Sequence, residues 1–230
     1  GLELRRAEGG GEGPGEELRL ALRNTLEMPE DVLCLAFSPD GKHVALGLID
    51  STIKVFYADS LKFSLSLYGH KLPVLCLDVS SDGQLLCSGS ADKNLKLWGL
   101  DFGDLRKSLF GHQDSVTQVR FVPDTHYLFS AGKDGLVKYW DMDKHELLLE
   151  LPGHHGEVWG LAVAALGDAV FSSSHDKSIR QWRRSEEPFF LEEERERRLE
   201  SLFEGGAERE AARRGAGGEG DEGADLLQTR

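Results

Sequence analysis

Several features that mark common protein classes are missing. No apolar stretch reaches the roughly 18 residues that a membrane-spanning helix needs, so no membrane span is expected. The first residues lack an apolar signal core, which argues against secretion. Cysteine is scarce: Cys34, Cys76 and Cys87 show no CxxC spacing and form no even set. That excludes a disulfide framework and a thiolate zinc site, and it reads as small core residues in a reducing compartment. No phosphate-cradling Gly-Lys-Ser/Thr motif occurs, so no nucleotide cofactor is expected. Apart from the histidines of the repeated motif described below, His43, His126, His145, His155 and His175 have no metal-ligand spacing. His154 and His155 are adjacent, which points their rings apart in an extended strand.

Basic residues are also in short supply, 27 against 40 acidic, for a net charge of −13. The imbalance sits at the ends. Between residues 21 and 184 there are 17 basic and 21 acidic side chains, a net of −4. A nearly neutral body argues against a broad non-specific nucleic-acid surface, which needs clustered lysine and arginine. Residues 1–20 are rich in glycine and glutamate around one proline, and cannot bury enough apolar area to offset ordering entropy. They read as a disordered linker or an extension foreign to the fold. Residues 186–214 lose strand alternation and carry Glu193–Arg197 and Glu194–Arg198 at helical spacing, with a thin stripe of Leu191, Leu199, Leu202 and Phe203. A charged helix is expected there, with Pro188–Leu191 as a candidate outer strand before it. Residues 215–230 read as disordered.

What is present is a repeat. Gly111-His112, Ser130, Asp134 and Trp140-Asp141 recur 42 residues earlier as Gly69-His70, Ser88, Asp92 and Trp98. They recur 42 residues later as Gly153-His154, Ser172, Asp176 and Trp182. A degraded copy upstream keeps Asp50 but has Met28, Leu46 and Phe56 in place of His, Ser and Trp. A fixed period of this length with Gly-His and Trp-Asp marks a propeller blade. Strands are expected from Asn24 onward. In the second copy they fall at Val74–Val79, Leu85–Ser90, Asn94–Trp98 and Leu105–Phe110, with Asp82-Gly83 and Asp92-Lys93 at turns. Each copy is one four-stranded antiparallel sheet, and a single sheet must stack on neighbours to bury its faces.

On these residues the chain resembles the WD-repeat family over about residues 24–184. The expected fold is all-β, a WD-repeat β-propeller with four blades (24–60, 61–102, 103–144 and 145–184) followed by a charged helical tail. The family's usual ring has about seven blades, so the resemblance implies a fragment of a larger ring with apolar faces left open. It also implies a structural tetrad in each good copy, a buried chain from Trp through Ser and His to Asp: His70, Ser88, Asp92 and Trp98; His112, Ser130, Asp134 and Trp140; His154, Ser172, Asp176 and Trp182.

On paper, each His, Ser and Asp set is a hydrolase triad. Catalysis needs one site with a pocket and an oxyanion hole, whereas this set recurs three times at one period. The chain is therefore not expected to be an enzyme, and no catalytic residue, cofactor or metal is assigned. Lys93, Lys133 and Lys177 lie beside turn aspartates and are candidate rim contacts for phosphates or an acidic partner.

The joining stretches are more particular: NTLEMPEDVLCLAFSPD, LKFSLSLYGHKLPVLCLDVS, SADKNLKLWGLDFGDLRKSLFGH, and SSSHDKSIRQW followed by EEPFFLEEERER. They resemble the WD-repeat subunits of the small-subunit processome. That likeness implies two tandem propellers and a helical C-terminal domain in the complete protein. It implies a nucleolar home, WD-repeat partners in the UTP-B subcomplex, and association with U3 small nucleolar RNA and pre-rRNA. The implied role is a non-catalytic scaffold for pre-18S rRNA processing and 40S subunit biogenesis. The alternative is a generic WD-repeat peptide-recognition module, such as a substrate receptor.

Overall fold

The computed structural model describes residues 22–184. Fifteen strands form four antiparallel sheets, each built in simple sequence order. The first holds β1 (Val32–Phe37), β2 (His43–Leu48), β3 (Ile53–Tyr57) and β4 (Phe63–Leu67). The second holds β5 (Val74–Val79), β6 (Leu85–Ser90), β7 (Asn94–Gly99) and β8 (Leu105–Phe110). The third holds β9 (Val116–Phe121), β10 (Tyr127–Gly132), β11 (Val137–Asp141) and β12 (Glu146–Leu151). The fourth has three described strands, β13 (Val158–Val163), β14 (Ala169–Ser174) and β15 (Ile179–Arg183). The expected outer strand at Pro188–Leu191 and the expected helix over 186–214 lie outside the described residues.

Sequence alternation places the second sheet's strands almost to the residue. The first sheet differs, because pairing starts at Val32 and not at Asn24. Residues 24–31 stand in the register of 66–73, which holds the end of β4 and the loop around His70 in the next repeat. They include Pro29, which has no backbone donor for a ladder.

The first strands of successive sheets, β1, β5, β9 and β13, lie side by side, and each sheet's second strand packs on the next sheet's first. The blades of a propeller are thereby stacked face to face. Each first strand meets its second strand through a bulge at the same place: between Val32 and Cys34, Val74 and Cys76, and Val158 and Gly160, with the third sheet's irregularity at Ala131/Gly132. A bulge adds local twist, and its recurrence twists every blade alike.

The core lies between sheets. Ala36, Ala45, Ile53 and Val55 of the first pack on Leu77, Val79, Leu86 and Trp98 of the second. Cys87, Leu95 and Leu97 pack on Val119, Phe121, Leu128 and Trp140. Ala131 and Val137 pack on Val158, Leu161 and Val170. The approach is tight: a Cβ at Gly89 would stand 2.6 Å from Val116 Cγ1 across the second junction.

Both outermost faces are apolar and open. Leu35 and Phe37 are 61% and 58% exposed, while Leu77 and Val79, their periodic equivalents, are 4% and 7% exposed. At the other end Ile179 is 76% exposed, against 0% for Val137.

Candidate functional site: three buried polar chains and the turns they hold

The turn between the second and third strands is alike in all four sheets. The residue after each aspartate, Ser51, Lys93, Gly135 and Lys177, has a positive φ between 67° and 80°. Its N–H bonds back to Leu48 O, Ser90 O, Gly132 O and Ser174 O respectively. The aspartate accepts from the amide two residues on: Thr52, Asn94, Leu136 and Ser178. This Asx geometry lets a lysine stand where glycine is favoured.

In three of the sheets that aspartate is also the end of a polar chain. His70 Nδ1 is 2.9 Å from Asp92 Oδ2 and its Nε2 is 2.8 Å from Ser88 Oγ. Trp98 Nε1 donates to the same Ser88 oxygen at 2.8 Å. In the third sheet His112 meets Asp134 at 2.9 Å and Ser130 at 2.8 Å, and Trp140 Nε1 donates to Ser130 at 2.8 Å. In the fourth, the His154–Asp176, His154–Ser172 and Trp182–Ser172 distances are 3.1, 2.8 and 2.9 Å. Each aspartate further accepts the amide after the histidine: Lys71, Gln113 or His155.

Donor chemistry fixes the direction. A carboxylate can only accept, so each histidine carries its proton on Nδ1. Nε2 then accepts from the serine hydroxyl, whose oxygen accepts from the indole N–H. Every donor is used once, from Trp to Ser to His to Asp. Burial pushes the His70 pKa down, which keeps the ring in this neutral form. Burial works to raise the Asp92 pKa, but hydrogen bonds from the Lys71 amide and from His70 outweigh it and hold the carboxyl ionised. Asp134 follows the same balance, with His112 and the Gln113 and Leu136 amides against burial. The Ser178 hydroxyl and the His155 amide hold Asp176 well below the usual carboxylate range.

The proton arrangement is that of a hydrolase triad, so burial decides what it can do. Ser88, Ser130 and Ser172 are at most 1% exposed. The lone pair a nucleophile would use is engaged by an indole N–H, and no substrate can reach the oxygen.

The first sheet lacks the chain. Asp50 only closes its own turn, accepting from Thr52 N and Thr52 Oγ1. Leu46 and Phe56 fill the vacated positions, and Phe56 meets Phe63 edge-on at 5.9 Å. A cleft of about 490 Å³ opens on this face, lined by Leu22, Leu26, Met28, Val32, Phe37 and Leu46 among others.

The rim lysines do not form one set. Lys93 and Lys177 follow their aspartates and are exposed, whereas Lys133 precedes Asp134 and is half-buried. Its Nζ lies 5.0 Å above the Trp159 ring and 4.0 Å from Glu157. Sequence reasoning missed this half-exposed tryptophan. It also missed the buried cations of the third strands, Lys96 and Lys138, bonded to Ser108 at 3.0 Å and Glu150 at 2.9 Å. The period held that signal, since Lys54, Lys96, Lys138 and Arg180 are spaced by 42. Asp78, which accepts Phe121 N and faces Arg120 across a sheet junction, left no periodic trace. Among the described residues no cluster of His, Cys, Asp and Glu could hold a metal, and no helix is long and apolar enough to cross a membrane.

Four twisted antiparallel sheets, stacked through their faces and three of them pinned by Trp–Ser–His–Asp chains, define a WD-repeat β-propeller protein. Solved structures agree. The chain superposes on "Structure of U3-55K" with a TM-score of 0.65 and 25% identity, over 71% of this chain and 52% of that one. It superposes on "Crystal structure of RRP9 WD40 repeats" with a TM-score of 0.65 and 26% identity, over 71% and 51%. The chain belongs to the family described as the WDR3 second beta-propeller domain, whose model matches residues 2–189. It is 56% identical over 57 residues to U3 small nucleolar RNA-associated protein 12 of Saccharomyces cerevisiae, covering 25% of this chain and 6% of that protein. It is 55% identical over 59 residues to WD repeat-containing protein 3 of Homo sapiens, covering 26% and 6%. The matched segment is thus a small part of each relative's length.

Proposed function

We propose that this chain is a non-catalytic scaffold of the small-subunit processome, a ribosome-biogenesis WD-repeat protein acting with U3 snoRNP in pre-18S rRNA processing. Its partners would be other WD-repeat subunits of the UTP-B subcomplex, with U3 snoRNA and pre-rRNA bound through the assembly, and its home the nucleolus. Membership in the WDR3 second-propeller family carries the reading. A relative's name, U3 small nucleolar RNA-associated protein 12, supports it. The chemistry of the site agrees: the only triad-like groups among the described residues are sealed and committed to holding turns. We assign the tetrads a structural role, and the exposed Lys93 and Lys177 the role of rim contacts.

Purification of the tagged protein from its native locus at moderate salt tests this. U3 RNA and pre-18S precursors should both be strongly enriched in the eluate. Recovery of a defined set of other proteins with neither RNA would overturn the reading and favour a peptide-recognition module.

A further inference from the structure

One cluster lies apart from the tetrads, at the opposite turns of the second and third sheets. His126 closes the turn before β10. Its Nδ1 is 2.7 Å from Asp143 Oδ1, in the turn between β11 and β12. Its Nε2 is 3.1 Å from Asp82 Oδ2, in the β5–β6 turn of the neighbouring sheet. The tetrad histidines place one nitrogen on a carboxylate and the other on a hydroxyl, which a neutral ring satisfies. His126 places both on carboxylates. A neutral imidazole has one N–H, so only the imidazolium donates to both.

The surroundings favour that charge. The adjoining cleft, about 570 Å³, is lined by Asp82 from the second sheet and by Asp124, Asp141 and Asp143 from the third. His126 is the one basic side chain among those lining it. Asp141 is committed to the amides of Asp143 and Lys144, and Asp82 also accepts from Ser80 and Gln84. Without the imidazolium, Asp82 and Asp143 would face each other across the junction uncompensated.

The device belongs to one junction alone. At the first, the residues in register with Asp82 and His126 are Asp40 and Gln84; at the third they are Asp124 and Asp168. The second junction also ties two backbone amides to side chains across it, Asp124 N to Ser81 Oγ at 2.9 Å and Phe121 N to Asp78 Oδ2 at 2.7 Å, beside the Asp78–Arg120 pair. These amides report on whether the turns of the two sheets stay together.

We propose that His126 is a proton-operated latch between the second and third sheets, closed as imidazolium and released when the ring loses a proton. The hydrogen bond to Asp143 raises its pKa, partial burial opposes this, and Asp82 adds to the rise. A histidine whose folded pKa is raised contributes fully below the unfolded value of about 6.5, and the contribution is lost as pH climbs through the folded value. The latch therefore opens above the ordinary histidine value, as pH climbs through the raised folded one.

The test uses the full chain, with amide exchange followed by NMR from about pH 5.5 to about pH 8.5 and corrected for hydroxide catalysis. Protection of the Asp124 and Phe121 amides should fall with rising pH, by about tenfold for each unit by which folding raises the His126 pKa. His126→Gln, which copies Gln84 in the neighbouring sheet, should abolish that step, and His155→Gln should leave it intact. A flat profile in the wild type, or a step that survives His126→Gln, would overturn the proposal. Nitrogen-15 shifts of the wild-type ring give a reading that needs no variant. Two protonated nitrogens near pH 6.5 support the latch, and a single protonated nitrogen there sinks it.

Discussion

Ser130→Ala isolates what a tetrad contributes. The hydroxyl is fully buried, accepts from Trp140 Nε1 and donates to His112 Nε2, each at 2.8 Å. Alanine removes one oxygen and orphans two partners at once, an indole donor and an imidazole acceptor. A buried polar group left unpaired costs about 1–3 kcal/mol. The second junction is packed too closely for both partners to find water, since Trp140 is 4% exposed and His112 0%. The expected loss is about 2–4 kcal/mol, the upper part of the range for point substitutions. Urea unfolding followed by far-UV circular dichroism measures it, with an unchanged m-value showing that the cost lies in the folded state. Trp140→Phe in the Ser130→Ala background supplies the control. It removes the orphaned donor, so the double variant should be less destabilised than the sum of the singles by about 1 kcal/mol or more. The first sheet, with Leu46 and Phe56 at these positions, shows that an apolar solution packs. A single-variant loss below about 0.5 kcal/mol, or a strictly additive cycle, would refute the account of the chain as a satisfied network.

Three other outcomes are expected. The depressed pKa values of Asp92, Asp134 and Asp176 mean stability that is fully present above the unfolded carboxylate value of about 3.9 and lost as pH falls through the folded values. The urea midpoint should therefore drop steeply below about pH 4, and Asp134→Asn should flatten part of that slope. The thiols should be inert while the chain is folded: burial pushes Cys34 up to about 12 and raises Cys76 and Cys87 further from the neutral range. Disulfide-exchange reagents should register three free thiols promptly in denaturant and slowly in its absence. The open faces should drive self-association, which Leu35→Lys and Ile179→Lys should each reduce in sedimentation velocity; a wild-type chain that sediments as a monomer at high concentration would count against it.

The period made the sheets legible because a propeller repeats its solution. Residues that recur at 42, such as Ser88, Ser130 and Ser172, do the same work each time, so one reading serves three sites. At the rim the period groups less than it suggests. Lys133 lies beside its aspartate as Lys93 and Lys177 do, yet it stands two residues earlier in the repeat, off the left-handed position, over Trp159. Strand positions failed where the degraded first copy lost its markers, between Asn24 and Val32, and at His154 and His155, which stand in the loop between β12 and β13 and not in a strand. The junction contacts were not legible at all. Asp78 with Arg120, and His126 with Asp82, join different repeats and occur once, so neither local propensity nor periodicity records them.

Because every apolar cluster is shared by two sheets, a repeat leaving the ribosome has only half of its interior. Its second face stays wet until the next 42 residues arrive, a wait of about 2–8 seconds at ordinary synthesis rates. During each wait the nascent chain presents the surface of a finished junction with no opposite side. A chaperone that recognised one such surface would recognise each in turn, handing on as the following sheet displaced it.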